Sequence, residues 1–378
     1  MSLGFESSSF DPRANLGFTG AMLKIERTLC KSLKPLPAAK DLHFGRHFTD
    51  HWFFSKFSEE RGWFEAKIEP YGGLTLDPAA SVLHYGQALF EGMKAFSQVD
   101  GSIKLFRPQF NYRRLKAGAE RLCLIPPPED LFMRSLSQLV ATDARWIPSE
   151  EGCALYIRPT LIGTEAFLGV RPSREILYYV LLSPVGAYYS SKNPTLKIWV
   201  EDKALRAAPG GLGDVKASAN YAASLQAAQR AKAKGFDQVL WLDMHHEGIE
   251  EVGTMNVFWV FKDEVVTPAL NGSILPGNTR DAVLQLLRHQ GHKVSERRIT
   301  MKELMERHQA GELLEAFGTG TAAVISPMGE ICYQGKSHLI NRAQVGPLSQ
   351  KLHQTIRDIQ VGRLPDPFGW MNALGAEA

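Results

Sequence analysis

The stretch Gly211-Leu-Gly-Asp-Val-Lys-Ala-Ser218 decides how this chain is read. A nucleotide phosphate loop needs Gly-Lys-Ser/Thr contiguous after its spacer, and here Asp214 and Val215 separate Gly213 from Lys216. The chain is therefore not read as a nucleoside triphosphatase. What remains is a lysine among small residues just ahead of a helix, where the backbone can bend and a ligand can fit closely. Such a lysine suits Schiff-base chemistry, because only the unprotonated amine adds to a carbonyl and burial favours that form. Spacing alone leaves open whether Lys216 is catalytic.

Outward from that lysine, helix and strand signals alternate. Residues 220–234 form an alanine-rich helix closed by Gly235, and 237–242 follow at once as a strand. Residues 254–261 are a continuous apolar run, while 279–289, 301–308 and 345–360 carry helical spacing, the last closing the chain. Toward the N-terminus, 51–57, 63–68 and 103–106 are strand-like with one helix inserted. Residues 110–122 and 130–146 then read as helices, and 153–162 and 175–182 as central strands. Pro, Gly, Ser and Asn collect between 183 and 213 around one strand-like run. The expected fold class is α/β (α+β): a smaller N-terminal domain 1–188, a connection 189–205 and a larger C-terminal domain 206–378.

Composition narrows the function. The 378 residues are 44% hydrophobic and 22% charged, as in soluble globular proteins, and Lys plus Arg (43) nearly balance Asp plus Glu (40). A net charge of +3 argues against nucleic acid as the main partner. No run approaches the ~18 apolar residues of a membrane span, and residues 1–15 do not resemble a signal peptide, so a cytoplasmic protein is expected. Cys30, Cys123, Cys153 and Cys332 lie far apart and are read as reduced, buried thiols. His245, His246 and Glu247 fall in a polar turn and are read as exposed, so no metal is expected.

Two further motifs supply what a phosphorylated cofactor needs. Leu275-Pro-Gly-Asn-Thr-Arg280 leads into a helix whose first N–H groups, with the Thr279 hydroxyl, can hold a phosphate; a plain helix cap explains it equally well. Phe317-Gly-Thr-Gly-Thr-Ala-Ala323 reads as a donor-rich turn that lets a ligand approach the backbone, or equally as a simple connection between strands.

Taken with His84-Tyr-Gly-Gln-Ala-Leu-Phe-Glu-Gly92, Leu105-Phe-Arg-Pro108, Leu155-Tyr-Ile-Arg-Pro159, Gly163-Thr-Glu-Ala-Phe-Leu-Gly-Val170, Pro184-Val-Gly-Ala-Tyr188 and Glu250-Glu-Val-Gly-Thr-Met-Asn256, these motifs resemble the fold-type IV pyridoxal-phosphate enzymes. The similarity is greatest to the branched-chain amino acid aminotransferases and spans most of the chain. It implies pyridoxal 5'-phosphate as cofactor, with Lys216 as Schiff-base lysine and proton shuttle. It implies Tyr221 at the cofactor's phenolic oxygen and Glu251 at its ring nitrogen, where a buried carboxylate favours the protonated ring. Strand alternation puts neighbouring Glu250 on the opposite face, toward solvent.

The resemblance also assigns the phosphate to Arg114, supported by Thr279, the Asn278 backbone and Thr321, and it puts Thr254, Leu275 and Gly277 at the cofactor as well. Arg113 points about 100° away on a helix and reads as a surface residue. For the substrate it implies an apolar pocket of Phe44, Phe90, Tyr156, Tyr188 and Thr254, with Tyr85, Leu168 and Val170 coming from a neighbouring subunit. Arg158 is the natural partner for the side-chain carboxylate of glutamate, which cannot be buried unpaired, or else a structural arginine tying strands together. Ala322 and Ala323 offer N–H donors to the α-carboxylate.

The implied reaction moves an amino group between L-leucine, L-isoleucine or L-valine and 2-oxoglutarate, by a ping-pong route, in a homodimer or larger homo-oligomer. D-amino acid aminotransferase and aminodeoxychorismate lyase resemble the same scaffold and remain alternatives, as does a non-enzymatic amino-acid-binding protein. Animal members of the family carry a redox-active Cys-x-x-Cys after the Gly-Thr turn. Here Ala323-Val-Ile-Ser326 stands instead, so a bacterial-type member fits better.

Overall fold

The computed structural model describes residues 22–186 and 194–375; the first residues, Tyr188 and part of the expected connection lie outside them. Each half of the chain is built on one sheet. In the first, the strand order is Glu26–Arg27, Gly62–Pro70, His51–Ser58, Glu175–Val185, Ala154–Gly163, Met93–Ser97, Ile103–Phe106 and Met371–Ala373, with Ala88–Phe90 paired to Ala154–Gly163. All its pairings but the first are antiparallel. Helix Glu129–Thr142 starts on Glu129 and Asp130, whose charges suit a helix N-terminus. It then turns Leu131, Phe132, Leu136 and Leu139 into one core with Phe53, Ile157 and Tyr178.

The second sheet runs Ile249–Val252, Gln238–Leu242, Leu196–Glu201, Val324–Tyr333, Leu313–Gly320, Met255–Phe261, Val265–Thr267 and Val294–Glu296, with Lys336–Leu339 paired to Val324–Tyr333. Leu196–Glu201 is parallel to both of its neighbours. Helix Met301–Gln309 is capped by the Thr300 hydroxyl, which accepts the Glu303 N–H at 3.1 Å. Phe96, Phe106 and Tyr156 of the first half share a core with Phe258, Phe317 and Leu352 of the second. This shared core fixes how the two sheets face each other.

Sheet membership leads us to propose different domain limits from those read in the sequence. Leu196–Glu201, inside the expected connection, is a central strand of the second sheet, and Met371–Ala373 returns to pair with 104–106 of the first. Helix Pro347–Gln360 therefore does not close the chain. The stretch expected as a turn at 317–323 is mostly strand: Phe317 pairs with Pro327 and Gly320 with Val324, leaving only Thr321, Ala322 and Ala323 as the turn. The thiols were expected to be buried, but Cys123 is exposed at a positive φ where its helix unwinds, and Cys30 is half-buried.

The loop before Lys216 passes so close to Ser273 that a β-carbon on Gly213 would stand 2.6 Å from the Ser273 Cα. The three nearest atoms all belong to the Ser273 backbone, so Gly213→Ala should destabilise by about 2 kcal/mol or more, read as a lower melting temperature. An unchanged melting temperature would show that this approach is not a constraint.

Candidate active site

Between the two sheets lies a cavity of about 810 Å³ lined by residues from both. Lys216 enters it because the loop before it is pinned on both sides. Phe90 donates its N–H to the Lys216 carbonyl at 3.2 Å, and a bridge pairs Leu89 with Ala217. The Asn220 amide donates to the carbonyls of Leu212 (2.7 Å) and Val215 (2.8 Å). Helix Ser218–Ala233 then begins and presents Tyr221 to the lysine, with Lys216 Nζ 2.8 Å from the Tyr221 hydroxyl. Burial, and next the positive charge of Arg114, push the Lys216 amine down to about 8. Burial and the charge of Glu251 push the Tyr221 phenol up to about 12.

Glu251 lines a small neighbouring pocket that shares Tyr221 and Thr254 with this cavity. One of its oxygens accepts the Leu275 N–H at 2.9 Å and the Asn256 amide at 3.3 Å; the other lies 3.2 Å from Arg206 Nε. Burial raises its pKa against the pull of Arg206. Arg206 also donates to the carbonyls of Ser273 and Gly213, so one guanidinium ties the Glu251 strand to the Lys216 loop. The sequence reading missed Arg206, which sits in a loop with no periodic signal.

Glu250 does face the other way, but not toward solvent. It is 2% exposed and accepts from the Ser273 hydroxyl and the Asn271 amide, because loop 268–276 folds over that face of the strand.

Helix Asn278–His289 starts in another small pocket beside Gly92, Thr321 and Lys94, of which Gly92 and Thr321 also line the cavity. Its first intrahelical donor is Asp281, so the N–H groups of Asn278, Thr279 and Arg280 have no partner in the helix. Arg114 is not a free cation here. It grips Glu91 with two parallel bonds, Nε to Oε1 at 2.7 Å and Nη2 to Oε2 at 2.8 Å, and donates to the Pro276 carbonyl at 2.9 Å. Glu91 is wholly buried, and Asn111 joins it to Asn278 with bonds of 2.6 and 2.8 Å. Two guanidinium hydrogens of Arg114 are left over. Glu91 lies within a quoted motif yet received no role; a carboxylate at such a buried position needs a cation, and that was the usable signal. Arg113 is exposed, as expected, and the Thr321 hydroxyl donates to the Gly92 carbonyl at 3.1 Å.

On the substrate side, Phe44, Phe90, Tyr156, Arg158, Thr254, Ala322 and Ala323 all line the cavity. Phe44 packs edge-on against Tyr156 at 4.8 Å, and the Arg158 guanidinium lies over Phe90 at 4.4 Å while donating to the Tyr156 hydroxyl at 3.0 Å. Gly92 has no side chain because a β-carbon would overlap the Tyr156 hydroxyl. The sequence reading missed Thr160, Tyr179 and Leu181, although alternation from Tyr156 and Arg158 leads to Thr160, and Tyr179 pairs across from it. Tyr85, Leu168 and Val170 do not line the cavity. They are exposed (44, 61 and 86%), with the Tyr85 hydroxyl donating to the Leu168 carbonyl. Tyr188 is outside the described residues.

Fold and site define a class of protein. The amino-transferase class IV family matches residues 88–331, and the chain belongs to that family. Its fold is accordingly fold-type IV. The chain is 48% identical over 359 residues to branched-chain-amino-acid aminotransferase 2 of Bacillus subtilis (strain 168), covering 95% of this chain and 98% of that one. The crystal structure of the Escherichia coli branched-chain amino acid aminotransferase shares the fold, with a TM-score of 0.73 at 23% identity over 86% of this chain and 99% of that one. That of the Thermobaculum terrenum branched-chain amino acid aminotransferase in its PLP form does so at 0.69 and 23%, over 86% and 98%. Within class IV, the chain thus groups with the branched-chain-amino-acid aminotransferases.

The lowered Lys216 pKa carries a test. The neutral fraction of an amine grows as pH rises through its pKa, so the rate at which cofactor-free protein condenses with an aldehyde probe should climb with a midpoint near pH 8. A midpoint near that of free lysine, about 10.4, would show that the cavity does not dehydrate the amine.

Proposed function

We propose that this chain is a pyridoxal-phosphate-dependent branched-chain-amino-acid aminotransferase, exchanging the amino group of L-leucine, L-isoleucine or L-valine with 2-oxoglutarate. The observation that carries the reading is Lys216 Nζ, part-buried in the cavity 2.8 Å from the Tyr221 hydroxyl, with its amine pulled down to about 8. That donor set fits the cofactor. Among the described residues the N–H groups of Asn278, Thr279 and Arg280 have no partner and suit a phosphate, with Gly277 leaving room for the Asn256 amide, the Leu275 N–H holding Glu251, and Thr321 beside the helix start. Tyr221 suits the phenolic oxygen, and Glu251 the ring nitrogen.

When bound, pyridoxal phosphate supplies a ring that accepts negative charge from the substrate's α-carbon. The protein does the rest. Lys216 would hold the cofactor at Nζ, and the same nitrogen would accept the substrate's α-proton, its lowered pKa leaving a larger unprotonated fraction near neutrality than a free lysine has. Glu251, held by Arg206, keeps the ring nitrogen protonated. Tyr221 would donate a hydrogen bond to the cofactor's phenolic oxygen, its high pKa keeping the proton on the tyrosine. Phe44, Phe90, Tyr156 and Thr254 remove water from an aliphatic side chain, worth roughly 2 kcal/mol for a leucine-sized group, which favours it over alanine without separating leucine from isoleucine.

Glutamate must use the same pocket. Among the described residues Arg158 forms no ion pair, so its charge is available to the second carboxylate. The exposed Tyr85, Leu168 and Val170 form an apolar edge that we assign to a homodimer contact, each reaching the partner's cavity. Among the described residues no helix is long and apolar enough to cross a membrane, and we place the reaction in the cytoplasm.

A panel of L- and D-amino acids with 2-oxoglutarate tests the reading. Branched L-amino acids should turn over, and Lys216→Ala protein should not; a preference for D-amino acids would make the chain a different class IV enzyme. Arg158→Leu should raise KM for glutamate and 2-oxoglutarate about tenfold or more while leaving leucine within about threefold. Equal losses for both would make Arg158 a structural residue.

A further inference from the structure

We propose that Lys94 is a positioning residue for substrate: from the first sheet it holds the Thr321–Ala322–Ala323 turn so that the turn's N–H groups face the carboxylate common to amino acids and 2-oxo acids. The inference rests on the functional reading above and gives a role to a side chain that reading leaves idle.

Lys94 lies on strand Met93–Ser97, directly across from Tyr156. It is 6% exposed, yet its Nζ spans the two sheets to donate to the Ala322 carbonyl at 2.7 Å. Gly92, two residues earlier, accepts the Thr321 hydroxyl at 3.1 Å. One stretch of the first sheet therefore fastens the turn at two successive residues. In a trans peptide the carbonyl and the following N–H point opposite ways. With the Ala322 oxygen drawn toward Lys94, the Ala323 N–H is aimed to the other side of the turn, where Ala322 and Ala323 line the cavity. Neither the Ala322 nor the Ala323 N–H donates to a described residue. The next residue, Val324, sits at φ 64°, a conformation a β-branched side chain resists, so the turn needs an external hold to keep its shape.

A structural salt bridge does not explain Lys94. Among the described residues no carboxylate pairs with it, and the ionisable groups that face it are Arg357 and His353 of helix Pro347–Gln360, and Cys153. Burial and then Arg357 push its amine down to about 7. A neutral amine still donates, so the hold on Ala322 survives loss of the charge.

Lys94→Met removes the donor and keeps much of the bulk. KM for L-leucine and for 2-oxoglutarate should both rise about tenfold, with kcat within about threefold and full cofactor content, and Lys94→Arg should recover most of the loss. A folded, cofactor-loaded Lys94→Met enzyme with KM values within about twofold of wild type would overturn the proposal, as would a loss confined to kcat. Should Lys94→Met fail to fold, Lys94→Gln, a shorter donor, must raise both KM values; unchanged values there overturn it equally. Turnover of L-leucine by the parent enzyme in the same assay separates failure of this inference from failure of the functional reading.

Discussion

One amine kept out of water between two sheets is the constraint on which the rest of the molecule depends. Lys216 reaches its cavity from the second half, but the hydrogen bond that fixes its carbonyl comes from Phe90 in the first. Neither sheet alone can dehydrate it. The shared core of Phe96, Phe106 and Tyr156 with Phe258, Phe317 and Leu352 therefore bears directly on chemistry: by holding the sheets face to face, it makes the amine's protonated form less favourable than in water.

The charges around that amine come in bonded pairs. Arg114 is matched to Glu91 and Arg206 to Glu251, each pair deeply buried. Removing one partner of such a pair leaves an uncompensated charge and typically costs about 3–5 kcal/mol, so these residues are coupled to folding as well as to the site. The pairing also divides the work. Glu91 fixes the Arg114 fork, which holds the Pro276 carbonyl just before helix Asn278–His289, while Arg206 holds Glu251 and secures the loop that carries Lys216.

Much of this was legible in the sequence because it is written in local patterns. The helix after Lys216, the strands at 154–163 and 175–185 and the helix after Gly277 follow from period and punctuation, and ordered motifs identified the family. What stayed hidden is long-range. Glu250 alternates away from the cavity as expected, but only the folded loop over it shows that it meets Asn271 and Ser273 rather than water. The return of Met371–Ala373 to the first sheet, the grip of Glu91 on Arg114 and the reach of Arg206 join residues separated by many elements, and no local period reports such contacts.

The most direct measurement of the central claim is to load the protein with pyridoxal phosphate, reduce it with borohydride and map the labelled peptide. The account predicts a single modified lysine, Lys216. Label on Lys94, a buried lysine in the neighbouring pocket, or spread over surface lysines while the enzyme remains active, would contradict it.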